Sequence, residues 1–305
     1  MKDLERLLQD MLGPEVKLLE SSTFSSGMAF PIHNVTWEQH GVQTQGVLKR
    51  YPPGFEEHFF RESWALGHLN ELGVAVPDLL GAFQDNSGSS VLMELIEGRP
   101  IMEVLSGSDQ TLWLERFVKQ LIQIHQIEAK QTPQSILLSE SAFESLISRF
   151  DRPFQKEHQQ TFDWLRKQDV QSVTRVLLHQ DYHPWNVLLT PENQLVVLDW
   201  DWSTGDPRQD VAWTRLILQK SQQPELCEAF TAQYGQQNPE STDHLEVFDV
   251  LAHLRWLQLL EQPSAKSKST PEIQRWIEQL KQESFQRILE ISGIPMAKNK
   301  PPSPE

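Results

Sequence analysis

Cysteine is almost absent from the sequence: Cys227 is the single thiol among 305 residues, which excludes an intramolecular disulfide and a cysteine-based zinc site. Basic residues are also few, 27 Lys and Arg against 42 Asp and Glu, and the net charge of −15 argues against nucleic acid as a partner. The chain has no apolar run of about eighteen residues that could span a membrane, and its opening segment, MKDLERLLQDML, lacks the apolar core of a signal peptide. We therefore expect a cytoplasmic protein that has neither a membrane nor a nucleic acid as its partner.

Large apolar residues, in contrast, are plentiful. Ten Trp, fourteen Phe and a hydrophobic fraction of 38% are enough for a sizeable core in one large domain or two lobes. Up to Tyr51 the chain shows short β-like runs such as HNVTWEQ and TQGVLKRY, followed by a long amphipathic helical pattern, FEEHFFRESWALGHLNEL, closed by Gly73. After Pro100 the helical period dominates, with a β-like island between residues 175 and 200.

This pattern predicts an α+β fold with two lobes. Residues 1–97 are expected to form a small β-rich lobe with one helix, and residues 98–293 a larger, mostly helical lobe. One helix of the larger lobe is predicted to span roughly residues 207–234. The Pro-rich residues 294–305 are expected to be disordered.

The segment HQDYHPWN, which begins at His179, concentrates side chains that could hold a metal. On an extended strand alternate residues share a face, so His179, Asp181 and His183 could together bind zinc or iron, as in a metallohydrolase. Pro184 ends such a strand, and this interpretation leaves the Asn of the segment and the later acidic cluster without a role.

Phosphate transfer is the chemistry that uses all of these residues. It needs a carboxylate near the accepting hydroxyl group and oxygen ligands that hold Mg²⁺ against the nucleotide phosphates. Asp181 would be the base, Asn186 the first metal ligand from the same loop, and Asp199 a second ligand at the end of the apolar run VVLDW. Oxygen ligands of this kind favour Mg²⁺ over zinc.

These motifs resemble the aminoglycoside phosphotransferase and choline kinase family of small-molecule kinases. The family pattern is roughly H-G-D-x-H-x-x-N, then I-D-W-E/D, then G-D-P-x-x-D, and this chain has HQDYHPWN, VVLDWD and GDPRQD in the same order. The resemblance implies a protein-kinase-like bilobal fold, with Asp181 as catalytic base and Asn186 and Asp199 as Mg²⁺ ligands. Gln180 departs from the pattern, since Gly is usual there, and Asp201 could reach the metal through water or serve as a surface or capping residue.

The same resemblance implies a nucleotide site in the first lobe. Lys49 in GVLKRY matches the family's strand lysine, and Glu62 is chosen as its partner, with Glu57 as the rival. The loop before Lys49 is expected to cover the phosphates with four residues: Ser25, Ser26, Gly27 and Met28. The connector after residue 92 is expected to meet adenine through backbone groups of three residues: Glu94, Leu95 and Ile96.

The acceptor of the phosphate is expected to be a small molecule. The chain passes from Asp199 to a helix start at Asp206 within seven residues, which leaves no room for the activation segment of a protein kinase. The donor would be ATP, with GTP as the alternative, and no protein partner is implied. Glu246 and Asp249, on a later helix, could meet an amine of the acceptor or lie on a solvated face.

Two further alternatives and one structural role accompany this interpretation. A catalytically silent relative that only binds nucleotide and the metallohydrolase described above both stay open. Asp206 is expected to cap a helix rather than to take part in catalysis, so that Asp206→Ala would lower stability by about 1 kcal/mol.

Overall fold

The computed structural model describes residues 2–23, 30–133, 146–170, 173–261 and 270–295. The chain divides into two compact units, the first comprising Met1–Ile127 and His179–Trp202 and the second Glu128–Leu178 and Ser203–Glu305. The lobe boundary predicted between residues 97 and 98 falls within the first unit and stays a prediction.

A five-stranded antiparallel sheet with strand order β1-β2-β3-β5-β4 dominates the first unit. A small three-stranded sheet, β6-β8-β9, belongs to the same unit. The elements of the unit are α1 Lys2–Leu12, β1 Lys17–Thr23, β2 Ile32–Gln39, β3 Val42–Tyr51, α2 Glu56–His68, β4 Leu79–Asp85, β5 Gly88–Glu94, β6 Arg99–Pro100, α3 Met102–Leu105, α4 Gln110–His125, β8 Val187–Leu189 and β9 Leu195–Val197. Helix α2 ends at His68, before the predicted closure at Gly73, and the chain then turns so that the Val74 N–H donates to the Leu69 carbonyl at 2.9 Å.

Strand β3 places its lysine by simple alternation. Leu48 is fully buried and packs with α1 in an apolar cluster formed by Leu8, Val16, Val35, Trp37, Leu48 and Leu92. Because successive side chains of a strand point to opposite faces, Lys49 lies on the other face of the sheet, where it contacts α2. Burial of the apolar face therefore fixes which side of the sheet carries the ammonium group.

The hairpin of β8 and β9 brings two distant sequence motifs together. Val187 pairs with Val197, and the left-handed conformation of Asn193, with φ of 62°, closes the turn between the strands. The ladder extends one step further, because the Leu198 N–H donates to the Asn186 carbonyl at 2.8 Å. Asn186 consequently lies where the hairpin begins, and Asp199 follows where it ends.

The second unit is mostly helical. Among the described residues its elements are β7 Val176–Leu178, β10 Ser203–Gly205, α5 Arg152–Glu157, α6 Gln159–Arg166, α7 Arg208–Lys220, α8 Pro224–Gln237, α9 Leu245–Glu261, α10 Pro271–Ser292 and short 3-10 turns at Ala129–Gln131 and Pro239–Ser241. Strands β7 and β10 pair antiparallel. Within the described ranges, no helix combines the length and apolar character needed to cross a bilayer.

The prediction of one helix over residues 207–234 is wrong, because two helices occupy that range. Helix α7 ends at Lys220, Gln222 takes a left-handed conformation with φ of 59°, and Pro224 begins α8. Proline lacks the N–H that a helix interior needs but fits the first helical turn, so Pro224 starts a helix rather than continuing one.

Candidate active site

Lys49 connects the sheet to two carboxylates. Its ammonium group lies 3.1 Å from Glu62 Oε1 and 2.8 Å from Asp199 Oδ1. Glu62 is only 2% exposed, and its second oxygen accepts a hydrogen bond from the Tyr51 hydroxyl group. One buried cation therefore joins strand β3, helix α2 and the segment that follows β9, all within the first unit.

The charges of this network shift one another's pKa values. Burial alone would lower the pKa of Lys49, but Glu62 and Asp199 more than offset it and hold the pKa above its ordinary value. The Lys49 ammonium group holds the pKa of Asp199 below its usual range, against the opposing effect of burial. Burial raises the pKa of Glu62 to about 7, although Lys49 acts in the opposite direction.

The raised pKa of Glu62 gives a testable pH dependence. A carboxyl group whose pKa is higher in the folded state stabilises the fold fully below its unfolded pKa, near 4.5, and this contribution disappears as the pH rises through about 7. We expect the unfolding free energy of wild type, relative to Glu62→Gln, to fall over that pH window. Urea denaturation of both proteins at several pH values measures the difference, and parallel stability curves would contradict the assignment.

Helix α2 settles which glutamate contacts the lysine. Glu62 contacts Lys49, whereas the rival Glu57 is 83% exposed and instead accepts a hydrogen bond from Arg61 Nη2 at 3.1 Å. Glu57 and Arg61 form an ordinary i,i+4 pair on the surface of the helix. The lysine partner favoured by the sequence pattern is thus the one that the structure places beside the lysine.

The loop at residues 181–186 folds around one carboxylate. Asn186 Nδ2 donates to the Asp181 carbonyl at 3.0 Å and to Asp181 Oδ2 at 3.1 Å. His183 Nε2 lies 3.6 Å from Asp181 Oδ1. Because the amide nitrogen of Asn186 is turned toward Asp181, Oδ1 is the atom of this amide that is available to a cation.

His179 ties this loop to the segment that carries Asp199. Its Nδ1 accepts a hydrogen bond from the Asp181 N–H at 3.1 Å, so the proton lies on Nε2, which donates to the Leu198 carbonyl at 2.9 Å. The ring is fully buried. Both ring nitrogens of His179 are therefore used for the backbone, which is incompatible with a role as metal ligand in the His179, Asp181 and His183 cage.

The residue beside the candidate base has an unusual backbone conformation. Gln180 has φ of 73°, in the left-handed region that favours glycine, and it is 8% exposed. This explains why glycine suits the position in the family pattern. Asp199 likewise has a positive φ, 57°, so both segments of the site have a residue in this conformation.

Arg61 is a site residue that the sequence reasoning missed. Its Nη1 donates to Asp201 Oδ1 at 2.7 Å, and its carbonyl accepts a hydrogen bond from Trp202 Nε1 at 2.7 Å. Arg61 is about 140 residues away from Asp201 and Trp202 in the chain, and no local sequence pattern predicts such contacts. Asp201 is thus bound to a guanidinium group, a role that the sequence alternatives did not include.

The remaining predicted nucleotide residues belong to two segments of the first unit. The four residues of the predicted phosphate loop, Ser25, Ser26, Gly27 and Met28, lie outside the described residues. Glu94 ends β5, its N–H donates to the Asp78 carbonyl at 2.9 Å, and its carboxylate accepts from the Asp78 N–H at 3.3 Å. Leu95 and Ile96 follow outside any helix or strand, so their backbone roles toward adenine stay predictions.

Sequence comparison places these motifs in a known family. The profile of the phosphotransferase enzyme family, APH, matches residues 23–245, which include every candidate site residue from Ser25 to Asp199. The chain belongs to this family. No curated protein is similar enough in sequence to be matched.

Solved structures share the fold of this APH-family chain at low sequence identity. A thermostable mutant of aminoglycoside phosphotransferase APH(4)-Ia in its apo form has a TM-score of 0.67 at 16% identity, covering 95% of this chain and 98% of its own. Choline kinase LicA from Streptococcus pneumoniae has a TM-score of 0.65 at 17% identity, with coverages of 95% and 98%. Amicoumacin kinase hAmiN, solved with AMP-PNP, Ca²⁺ and Ami, has a TM-score of 0.61 at 14% identity, with coverages of 92% and 89%.

The family assignment confirms two predictions made from the sequence. The α+β, protein-kinase-like fold is confirmed by the antiparallel sheet, the helical second unit and the likeness to these structures. The APH-family chain is a small-molecule phosphotransferase, as the motifs predicted.

The donor atoms of the site suit a hard cation such as Mg²⁺. Asn186 Oδ1 and the half-exposed carboxylate of Asp199 are oxygen ligands, the kind that Mg²⁺ binds together with water and nucleotide phosphates. Across the ranges that the structure describes, no three His, Cys, Asp or Glu side chains form a group that could hold a metal. Asn186 and Asp199 together would leave the rest of a cation's coordination shell to water and phosphate oxygens.

Proposed function

We propose that this protein transfers the γ-phosphate of ATP to a hydroxyl group of a small molecule. The observation that carries the proposal is the Lys49 ammonium group, bonded at once to Glu62 and to Asp199 in the unit that also contains Asp181 and Asn186. A phosphotransferase of this fold needs a cation from the sheet and oxygen ligands from the other segments at one place.

Asp181 is the proposed base. Its carboxylate is 36% exposed, so an acceptor hydroxyl can reach it, and it is oriented by Asn186 on one oxygen with His183 near the other. The carboxylate would accept the hydroxyl proton as the oxygen attacks phosphorus, or would orient that hydroxyl for attack. The hydrogen bond from Asn186 to Oδ2 directs the carboxylate before the acceptor binds.

Asn186 and Asp199 would hold Mg²⁺, which neutralises charge on the nucleotide phosphates when it is bound. Lys49 would then contact the phosphates while Glu62 keeps it directed away from the sheet. Backbone groups at Glu94, Leu95 and Ile96 are proposed to meet the adenine, and the predicted phosphate loop at residues 25–28 to cover the phosphates. The lobe arrangement predicted at residues 1–97 and 98–293 belongs to the same proposal.

The acceptor is proposed to be a metabolite or antibiotic hydroxyl compound, as the names of the structural neighbours suggest for those proteins. Asp249 is a poor candidate for binding an amine of the acceptor. It is buried and accepts two hydrogen bonds from Arg215, at 3.0 Å from Nε and 2.9 Å from Nη2. Its charge is already balanced within the second unit, so recognition of a cationic acceptor would need other residues.

A phosphate-transfer screen tests the proposal. Purified protein is incubated with labelled ATP or GTP and Mg²⁺ against a library of amino sugars, choline-like alcohols and antibiotics, and transfer is measured for each acceptor. We expect label on at least one hydroxyl compound, dependent on Mg²⁺. Nucleotide binding without transfer to any compound or to water would instead favour the catalytically silent alternative.

Lys49→Ala should weaken nucleotide use in that assay. The substitution removes the charge that bonds Asp199 and would contact the phosphates, so we expect kcat/KM for ATP to fall by about 10²-fold or more. Lys17→Ala, at an exposed strand position, is the matched control and should leave kcat/KM unchanged. Equal ATP kinetics of Lys49→Ala and wild type would rule out the proposed nucleotide contact.

A further inference from the structure

Arg61 holds two adjacent residues of the segment that carries the candidate metal ligand. Its guanidinium group bonds Asp201 at 2.7 Å, and its carbonyl accepts from the Trp202 indole at 2.7 Å. The Trp202 ring also packs on Trp64, one helical turn along α2, with ring centroids 4.5 Å apart. Both the side chain and the backbone of Arg61 are therefore engaged with residues 201–202.

These contacts complete a closed series of interactions between helix α2 and the segment that carries Asp199. Arg61 precedes Glu62 in the chain, Glu62 binds Lys49, and Lys49 binds Asp199. Helix α2 therefore contacts this segment at two points. Arg61 binds Asp201 directly, and Glu62 is connected to Asp199 through Lys49. Because Arg61 and Glu62 are neighbours on one helix, a movement of the segment would disturb both contacts at once.

The charges near Asp201 indicate the effect of its ion pair with Arg61. Asp199 and Asp201 are separated by a single residue, and Asp201 is near enough to raise the pKa of buried Glu62. His58 Nε2 lies 3.9 Å from Asp201, a longer approach than that of Arg61. Without the guanidinium group, Asp201 would be an anion with a weaker partner, two residues from a cation site that attracts carboxylates.

We propose that Arg61 is a positioning residue that keeps Asp201 out of the cation site and leaves Asp199 as the carboxylate that this segment offers to Mg²⁺. The inference rests on the proposed function, because it assumes a cation at Asn186 and Asp199. It assigns Asp201 a role that differs from a water-mediated metal contact. Arg61 acts through Asp201 and does not touch the reacting groups.

Two measurements on the same variants test this inference: Mg²⁺ binding in the presence of AMP-PNP by calorimetry, and the steady-state rate of ATP hydrolysis. In Arg61→Gln, Asp201 is released and adds a carboxylate to the cation site, so Mg²⁺ should bind at least about threefold more tightly. A cation shared between Asp199 and Asp201 would lie away from the position that Asp199 alone sets, so kcat should fall by about tenfold. Arg61→Lys keeps a positive charge near Asp201 and should recover most of kcat.

The double variant Arg61→Gln/Asp201→Asn provides the decisive comparison. Without the second carboxylate, Mg²⁺ affinity should return to within about twofold of the wild-type value. Asp201→Asn alone should also bind Mg²⁺ like wild type. The control Glu57→Gln removes the other carboxylate that contacts Arg61, outside the segment, and should change neither measurement.

Several outcomes would overturn the inference. They are weaker or unchanged Mg²⁺ binding in Arg61→Gln, persistence of its effect in the Asp201→Asn background, or loss of Mg²⁺ binding in Asp201→Asn alone. If Arg61→Gln does not fold, as judged by circular dichroism, Asp201→Asn and Arg61→Lys still decide the matter. Asp199→Asn distinguishes failure of this inference from failure of the proposed function. Unchanged Mg²⁺ binding in that variant would contradict the proposed function itself.

Discussion

Replacing Asp181 with Asn should lower the rate of phosphate transfer by about 10²- to 10⁴-fold, the usual contribution of a positioned base. The substitution is nearly isosteric, and the Asn186 amide can still donate to an oxygen at the same place. An amide cannot take up the hydroxyl proton, however, so the loss should appear in kcat. Affinity for Mg²⁺ and AMP-PNP, measured by calorimetry, should change by less than about threefold.

The control for this prediction is Asp109→Asn. Asp109 precedes α4, is exposed and makes no capping hydrogen bond with its side chain, so its substitution should leave kcat unchanged. If Asp181→Asn retains wild-type kcat on an acceptor identified in the screen, Asp181 is not the base. A large loss of AMP-PNP affinity in Asp181→Asn would instead point to a binding role.

Asp206→Ala should destabilise the protein by about 3–5 kcal/mol, far more than the loss of a helix cap. Asp206 Oδ1 accepts from the Arg208 N–H at 3.0 Å and from Arg208 Nε at 2.9 Å, while Oδ2 accepts from Nη2 at 2.6 Å. Both side chains are almost completely buried, at 5% and 1% exposure. Removing the carboxylate would leave a buried guanidinium group without its ionic partner.

Chemical denaturation with a matched exposed pair measures this effect. Asp163→Ala breaks an i,i+3 pair with Arg166 in the same unit, where both side chains are more than a third exposed, and should cost less than about 1 kcal/mol. Asp206→Leu combined with Arg208→Met should recover part of the stability lost in Asp206→Ala, since no unpaired charge remains. A loss of only about 1 kcal/mol in Asp206→Ala would mean that capping alone accounts for its role.

The sequence predicted the parts of the site that lie close together in the chain. Asp181 and Asn186 share one loop, and the two apolar runs that follow the loop form the hairpin that places Asp199 after its second strand. Strand alternation explains why Lys49 and the buried Leu48 face opposite sides of the sheet. Where a local period and a local spacing determine the geometry, sequence reasoning is sufficient.

Contacts between residues that are far apart in the sequence could not be predicted from local patterns. Arg61 and Asp201 are about 140 residues apart. An arginine on an amphipathic helix is predicted from the sequence to be exposed to solvent, so its partner is found only when the fold is known. The sequence predicted Asp206 as a helix cap, whereas the helix begins at Arg208 with Pro207 at its N-cap position. The pattern could not show that Arg208 folds back onto Asp206 in a buried pair. The helix break before Pro224 could have been foreseen, because proline is unfavourable inside a helix.

The most direct test of the account is the position of the cation in a crystal of the protein with AMP-PNP and Mn²⁺, located by anomalous scattering. We expect one Mn²⁺ bound by Asn186 Oδ1 and Asp199, with Lys49 against the nucleotide phosphates and Asp201 still bonded to Arg61. A cation bound elsewhere, or a nucleotide whose phosphates lie away from Lys49 and Asp199, would contradict it.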